Sequence, residues 1–224
     1  MTTRVGVIQF PGTNCELDVI HAMTQLGADA SILWHGDPTV NGVDTVIVPG
    51  GFAHGDYLRT GAIARFSPVM QAVADFAASG GPVVGICNGF QILCEAGLLP
   101  GALQKNAGLK FLCEPAEIRV ETSRSVLTNG AQVGQVLRVP INHFEGNYIC
   151  DASTLAELQA EDRVVFRYVR NPNGALDDIA GVCNAARNVV GLMPHPERAS
   201  DRLLGSQDGN VLLGSVLSAC AKVS

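Results

Sequence analysis

The chain has 224 residues, 47% hydrophobic and 16% charged, with a formal net charge of −6. That length suffices for a sizeable core, and an acidic balance without any basic run excludes nucleic acid as the main partner. No apolar stretch approaches the ~18 residues of a membrane span. Seven cysteines, an odd number with no C-x-x-C pair and no zinc-like spacing, read as reduced thiols. The N-terminal residues lead straight into a strand pattern without a signal h-region. The expectation is a soluble cytoplasmic protein with no metal, no membrane and no nucleic acid.

Val5–Ile8 is the first strand candidate, broken by Phe10-Pro11-Gly12. Thr13 followed by Glu16 has the form of a capping box, with Val19, Ile20, Met23 and Leu26 on one helical face before Gly27. Ala30–Leu33 and Val43–Val48 read as the next strands, the second ending in Pro49-Gly50-Gly51-Phe52. Ser67-Pro68 opens a helix, serine as cap and proline in the first turn, through Val69, Val73 and Phe76 to Gly80-Gly81. A fourth strand, Pro82–Ile86, runs into Cys87. Strands alternating with helices predict a doubly wound parallel sheet, whose active crevice lies beyond the carboxyl ends of the strands. The loops at Pro11-Gly12, Gly50-Gly51 and Cys87 all fall there.

After Pro100 the pattern turns β-rich. Ala116–Thr122, Val136–Ile141 and Val164–Val169 read as strands. Ile179–Cys183 and Val189–Met193 form a hairpin through Ala185–Asn188, and a last helix covers Asn210–Ala221. No linker, repeat or low-complexity tract divides the chain, so residues 1–224 are expected to form one domain.

Gly85-Ile86-Cys87-Asn88-Gly89 is the cysteine form of a nucleophile elbow, in which a sharp strand-to-helix turn exposes the side chain. The helix that follows points its positive end at the sulfur, which favours a nucleophilic thiol. Pro194-His195-Pro196-Glu197-Arg198 follows the last strand. Residues at i and i+2 of an extended segment face one side, and Pro196 biases His195 to extended geometry. His195 and Glu197 thus suit a general base and the carboxylate that orients it. The Gly50-Gly51 turn can present a backbone N–H to an oxyanion. Asp56 and Arg59 fit either a ligand-facing role or a salt-bridged loop. His21 and His35 read as structural, and Cys15 sits at the crevice edge with no base to pair with.

On these motifs, together with Phe10-Pro11-Gly12-Thr13-Asn14-Cys15 and Gly55-Asp56-Tyr57-Leu58-Arg59, the chain resembles the class I glutamine amidotransferases. More narrowly, it is similar to the glutaminase subunits of phosphoribosylformylglycinamidine synthases. The resemblance covers nearly the whole chain and implies a flavodoxin-like sheet with a Cys87–His195–Glu197 triad. It implies an oxyanion site at Gly51 and Asn88, with glutamine held by Gly50, Phe52 and Gln91. It implies no cofactor in this chain, ATP and Mg being used by a larger synthetase subunit that receives ammonia, and a third small subunit in the complex. The absence of a Walker-type phosphate loop agrees with ATP being handled elsewhere. Asn142-His143-Phe144-Glu145-Gly146 departs from the family's usual His-Gly-Glu-Gly, with Phe144 in place of a glycine. The competing readings are a glutaminase for another synthetase, a peptidase-like or glyoxalase-like cysteine hydrolase on the same scaffold, and a non-enzymatic binding subunit. An intact Cys87, His195 and Glu197 stand against the last.

Overall fold

The computed structural model describes residues 2–40 and 42–221. In chain order it forms β1 (Arg4–Gln9), α1 (Glu16–Gln25), β2 (Asp29–Trp34), β3 (Thr45–Val48), α2 (Pro68–Ala78), β4 (Val83–Ile86) and α3 (Asn88–Glu95). The second half contributes β5 (Ala102–Gln104), β6 (Leu112–Val120), β7 (Val136–His143) and β8 (Asn147–Ile149). It continues with α4 (Ala152–Ala160), β9 (Val164–Tyr168), β10 (Ile179–Cys183), β11 (Val189–Leu192) and α5 (Gly209–Ala221). None of the helices among the described residues is long and apolar enough to cross a membrane.

Nine strands make one sheet in the order β2-β1-β3-β4-β11-β10-β9-β6-β7, and β5 pairs with β8 apart from it. From β2 to β11 every pairing is parallel; from β11 to β7 every pairing is antiparallel. The order 2-1-3-4, with β11 as a fifth parallel strand, is flavodoxin-like, as the alternating pattern predicts. β3, β4 and β11 are buried at every residue, as expected of strands covered on both faces and written almost wholly in valine, isoleucine and leucine. The core runs without a break from Val5 and Val7 to Val190, Leu192 and Leu213.

The antiparallel half curls back on the parallel one. β7 is the ninth strand of the order, yet its Pro140 carbonyl accepts a hydrogen bond from His195 N–H, just past β11, at 2.8 Å. This brings the end of β7 over the carboxyl ends of β4 and β11.

Several local expectations are corrected. The Thr13/Glu16 capping box does not form: Cys15 stands at the N-cap of α1, Thr13 Oγ1 accepts from Phe10 N–H at 3.0 Å, and Glu16 accepts from Gln9. A sharper turn at Pro11-Gly12 uses the threonine before the helix begins. Ser67 does precede Pro68 at the start of α2, but makes no side-chain cap bond; its hydroxyl meets His35 and His54 instead. The expected strand Ala116–Thr122 lies four residues earlier at its start, at Leu112, because pairing with β7 extends through the exposed Cys113 and Glu114. α4 was not anticipated; Leu155 and Leu158 are its only large apolar residues and Leu158 alone is buried, so its periodicity is faint, although Asp151 caps it, accepting from Thr154 N–H at 2.7 Å.

The tightest approach of helix to sheet is at Gly89, where a Cβ would overlap the Val48 carbonyl oxygen of β3. Backbone cannot yield as a side-chain tip can, so Gly89→Ala is expected to lower unfolding free energy by about 2 kcal/mol or more. A urea midpoint indistinguishable from the parent's would contradict that packing.

Candidate active site

Because β1, β3, β4 and β11 are parallel, the loops that follow them leave the same edge of the sheet. Register does the rest. Ile86 pairs with Leu192, Cys87 N–H donates to the Leu192 carbonyl at 2.8 Å, and His195 follows three residues on. One cavity of about 370 Å³ opens there, lined among others by Cys87, Gln91, His195, Gly51, Phe52 and Asp56.

Cys87 has φ 52° and ψ −106°, a left-handed conformation that non-glycine residues rarely adopt and that costs about 1–3 kcal/mol. The elbow expected from the glycine spacing is therefore present, with the sulfur at the N-cap of α3. The Cys87 thiol donates to the Asn142 carbonyl at 3.7 Å. His195 and Glu197 are nearly fully buried, and His195 Nδ1 lies 2.6 Å from Glu197 Oε1. A carboxylate on Nδ1 fixes the ring's orientation and directs Nε2 away from it; that Nε2 is buried and has no hydrogen-bond partner among the described residues. Burial disfavours the imidazolium, but Glu197 and then Cys87 outweigh it and hold the His195 pKa well above its ordinary value.

The Gly50-Gly51 turn is tied to the loop after β1. Asn14 N–H donates to the Gly50 carbonyl and Phe52 N–H to the Gly12 carbonyl, so Gly51's own N–H takes no part in this bridge. With φ +144°, Gly51 could not carry a Cβ, which would lie 2.5 Å from Asn14 N. Asn88 begins α3, where first-turn N–H groups have no intrahelical acceptor. Its side chain stands behind the cavity: Oδ1 accepts from Ala53 N–H at 3.0 Å, and Nδ2 donates to Asp56 and to Gln91 at 3.2 and 2.9 Å. Gln91 passes the chain on, donating to the Glu145 carbonyl at 2.5 Å, and so fastens the end of β7 to α3. Gly50 lies behind the cavity wall, where a Cβ would crowd the His195 ring; Phe52 is half exposed at the rim.

Residues set aside on sequence grounds take clear places. Asp56 lines the cavity, and burial, opposed by the Asn88 bond, pushes its pKa up to about 6. Arg59 belongs to a surface pair, its Nε and Nη2 donating to the two oxygens of the Glu95 carboxylate at 2.6 Å each. Cys15 is corrected most: rather than lacking a base, it is buried beside the His195–Glu197 pair, with ligand atoms of all three within 4.8 Å of one another. A sulfur, a nitrogen and a carboxylate so grouped could hold a metal ion, which spacing could not reveal because Cys15 lies far from the other two in the chain. Arg198 already brings a positive charge there, Nη2 standing 3.2 Å from Cys15 Sγ. His143, unmarked in the sequence reading except as part of an atypical loop, also lines the cavity.

If Glu197 is what holds the imidazolium against burial, Glu197→Gln is expected to lower the His195 pKa. Imidazole titration by NMR checks this, and an unmoved value would contradict it.

Residues 2–209 match the CobB/CobQ-like glutamine amidotransferase domain. The phosphoribosylformylglycinamidine synthase subunit PurQ of Rubrobacter xylanophilus is 57% identical over 98% of this chain and all of its own length. Its counterpart in Koribacter versatilis is 54% identical over 98% of this chain and 99% of the relative. A chain in the solved structure of PurLQS from Thermotoga maritima superposes with a TM-score of 0.90 at 40% identity, covering 98% of this chain and 99% of that one. The chain therefore belongs to the CobB/CobQ-like glutamine amidotransferase family and, within it, to the PurQ subunits of phosphoribosylformylglycinamidine synthases.

Proposed function

We propose that this chain is the glutaminase subunit of a phosphoribosylformylglycinamidine synthase in purine biosynthesis. The observation that carries the reading is the meeting of Cys87, at a strained strand-to-helix turn, with a buried His195–Glu197 pair at the end of the adjoining strand. Full-length likeness to PurQ subunits supports the substrate and the destination of the product.

The geometry supports a thioester route. The Cys87 thiol passes its proton to His195 and the sulfur attacks the carboxamide carbon of glutamine. The C=O electron pair moves to the oxygen, which meets the backbone N–H groups of Gly51 and Asn88. His195, held by Glu197, gives its proton to the departing nitrogen, and ammonia leaves with the electron pair of the C–N bond. The glutamyl thioester remains on Cys87. His195 then takes a proton from water as the oxygen attacks the thioester, and glutamate is released. Gln91, Gly50 and Phe52 shape the cavity around the substrate, Gln91 through its hold on Glu145. A single nine-stranded sheet and one unbroken core support a single amidotransferase domain.

Ammonia passes to a larger synthetase subunit, which uses ATP and Mg to convert formylglycinamide ribonucleotide to the amidine, with a third small subunit completing the complex. The PurLQS likeness supports this assembly. The cytoplasm is the proposed site of the reaction, in keeping with seven cysteines of which none forms a disulfide.

Glutamate release from glutamine, measured with and without the synthetase partners, tests the reading. Release should rise with the partners, and Cys87→Ala should reduce it by at least about 10³-fold. Undiminished release in Cys87→Ala would overturn the mechanism.

A further inference from the structure

His143, the last residue of β7, is buried and lines the cavity that holds Cys87 and His195. Its neighbour Asn106 decides its tautomer. Asn106 Nδ2 donates to the carbonyls of Lys110 and His143 at 2.8 and 3.0 Å, which fixes Oδ1 as the acceptor. Gly146 N–H donates to that Oδ1 at 3.1 Å. His143 Nδ1, also 3.1 Å from Oδ1, must therefore carry the hydrogen, and in a neutral ring Nε2 is left with a bare lone pair. Burial, reinforced by the nearby His195, pushes the His143 pKa down to about 4, so the ring is neutral at ordinary pH. Nε2 is buried and has no hydrogen-bond partner among the described residues.

A buried acceptor without a donor is costly, so such groups call for an occupant. The ring stands near the reacting end of the cavity: it lines the same cavity as Cys87 and His195 and lies close enough to His195 for that charge to act on it. The residue before it, Asn142, has its carbonyl 3.7 Å from Cys87 Sγ. What a lone pair there requires is an N–H or O–H. On the glutaminase reading, on which this inference rests, the group that must lie against Cys87 and His195 is a carboxamide, which carries two N–H bonds.

We propose that His143 is a catalytic residue whose Nε2 accepts a hydrogen bond from the carboxamide N–H of glutamine, turning the nitrogen's lone pair toward His195. As the Cys87 sulfur–carbon bond forms and the C–N bond breaks, the nitrogen keeps the C–N electron pair and takes its proton from His195. The N–H held by His143 keeps that nitrogen in line. A neutral acceptor suits the task, since a second imidazolium beside His195 would repel both it and the incoming proton.

The test compares glutamine with glutamate γ-methyl ester, whose leaving oxygen offers no N–H. Rates are measured in the assembled synthase and normalised to active sites titrated with a γ-diazoketone glutamine analogue, so that misfolded protein is not counted. His143→Phe keeps a ring without the acceptor; His143→Gln restores a carbonyl acceptor. The ratio of amide to ester kcat/KM should fall at least about tenfold in His143→Phe, chiefly through kcat, and recover in part in His143→Gln. A ratio unchanged in His143→Phe, whether both substrates slow together or neither does, would overturn the assignment. Cys87→Ala separates the two levels of the argument: glutamine turnover surviving in it would sink the glutaminase reading itself, whatever His143 does.

Discussion

The active centre depends on one pairing, that of β4 with β11. The two strands lie side by side and parallel, although more than a hundred residues separate them in the chain. Parallel alignment sends both carboxyl ends to the same edge, and the register, Ile86 against Leu192, decides how far each chain continues before it turns. Cys87 is the next residue on one strand and His195 the third on the other. A slip of one residue would turn every side chain to the opposite face. It would also set a valine, leucine or isoleucine where Gly85 and Gly191 leave room for α3 backbone and the Phe90 ring. The packing that holds the core thus also holds the spacing of Cys87 and His195.

Strain at Cys87 is held by the same packing. Its left-handed backbone is clamped between β4 and α3, and Cys87 N–H is tied to Leu192. The close seat of α3 on β3 at Gly89 leaves no slack through which the turn could relax. Stored strain of this kind persists only where the surroundings over-determine it. Here the surroundings are the parallel core, and the sulfur is placed over the crevice without any flexible loop to carry it.

The antiparallel half supplies the remaining wall. By curling until β7 meets His195, it lays the Asn142 carbonyl against the sulfur and His143 along the cavity wall, and the Asn88–Gln91–Glu145 chain of hydrogen bonds fastens that wall to the elbow helix. The cavity thus draws its walls from both halves of the sheet. On the far side, Cys15 and Arg198 pack against the His195–Glu197 pair, and Arg198 is anchored in turn to Asp18 of α1.

Much of this was legible in the chain. The β-branched runs ending in glycine and proline marked the parallel strands; Gly85-x-Cys87-x-Gly89 marked the elbow; and Pro194-His195-Pro196-Glu197 marked a stiff segment with two side chains on one face. These are local patterns, set by φ restrictions, periodicity and turn chemistry within a few residues, and they carried the flavodoxin-like order, the family and the residues of the proposed triad. What only the tertiary structure decided was which distant groups meet. Cys15 looked solitary until α1 packed beside residues 195–198, and His143 looked like one polar residue in an atypical loop until Asn106 fixed its tautomer. Thr13 had the sequence of a cap and found a nearer donor in Phe10 N–H. Spacing along the chain carries no information on contacts made across a curled sheet, since those depend on how the strands twist and close.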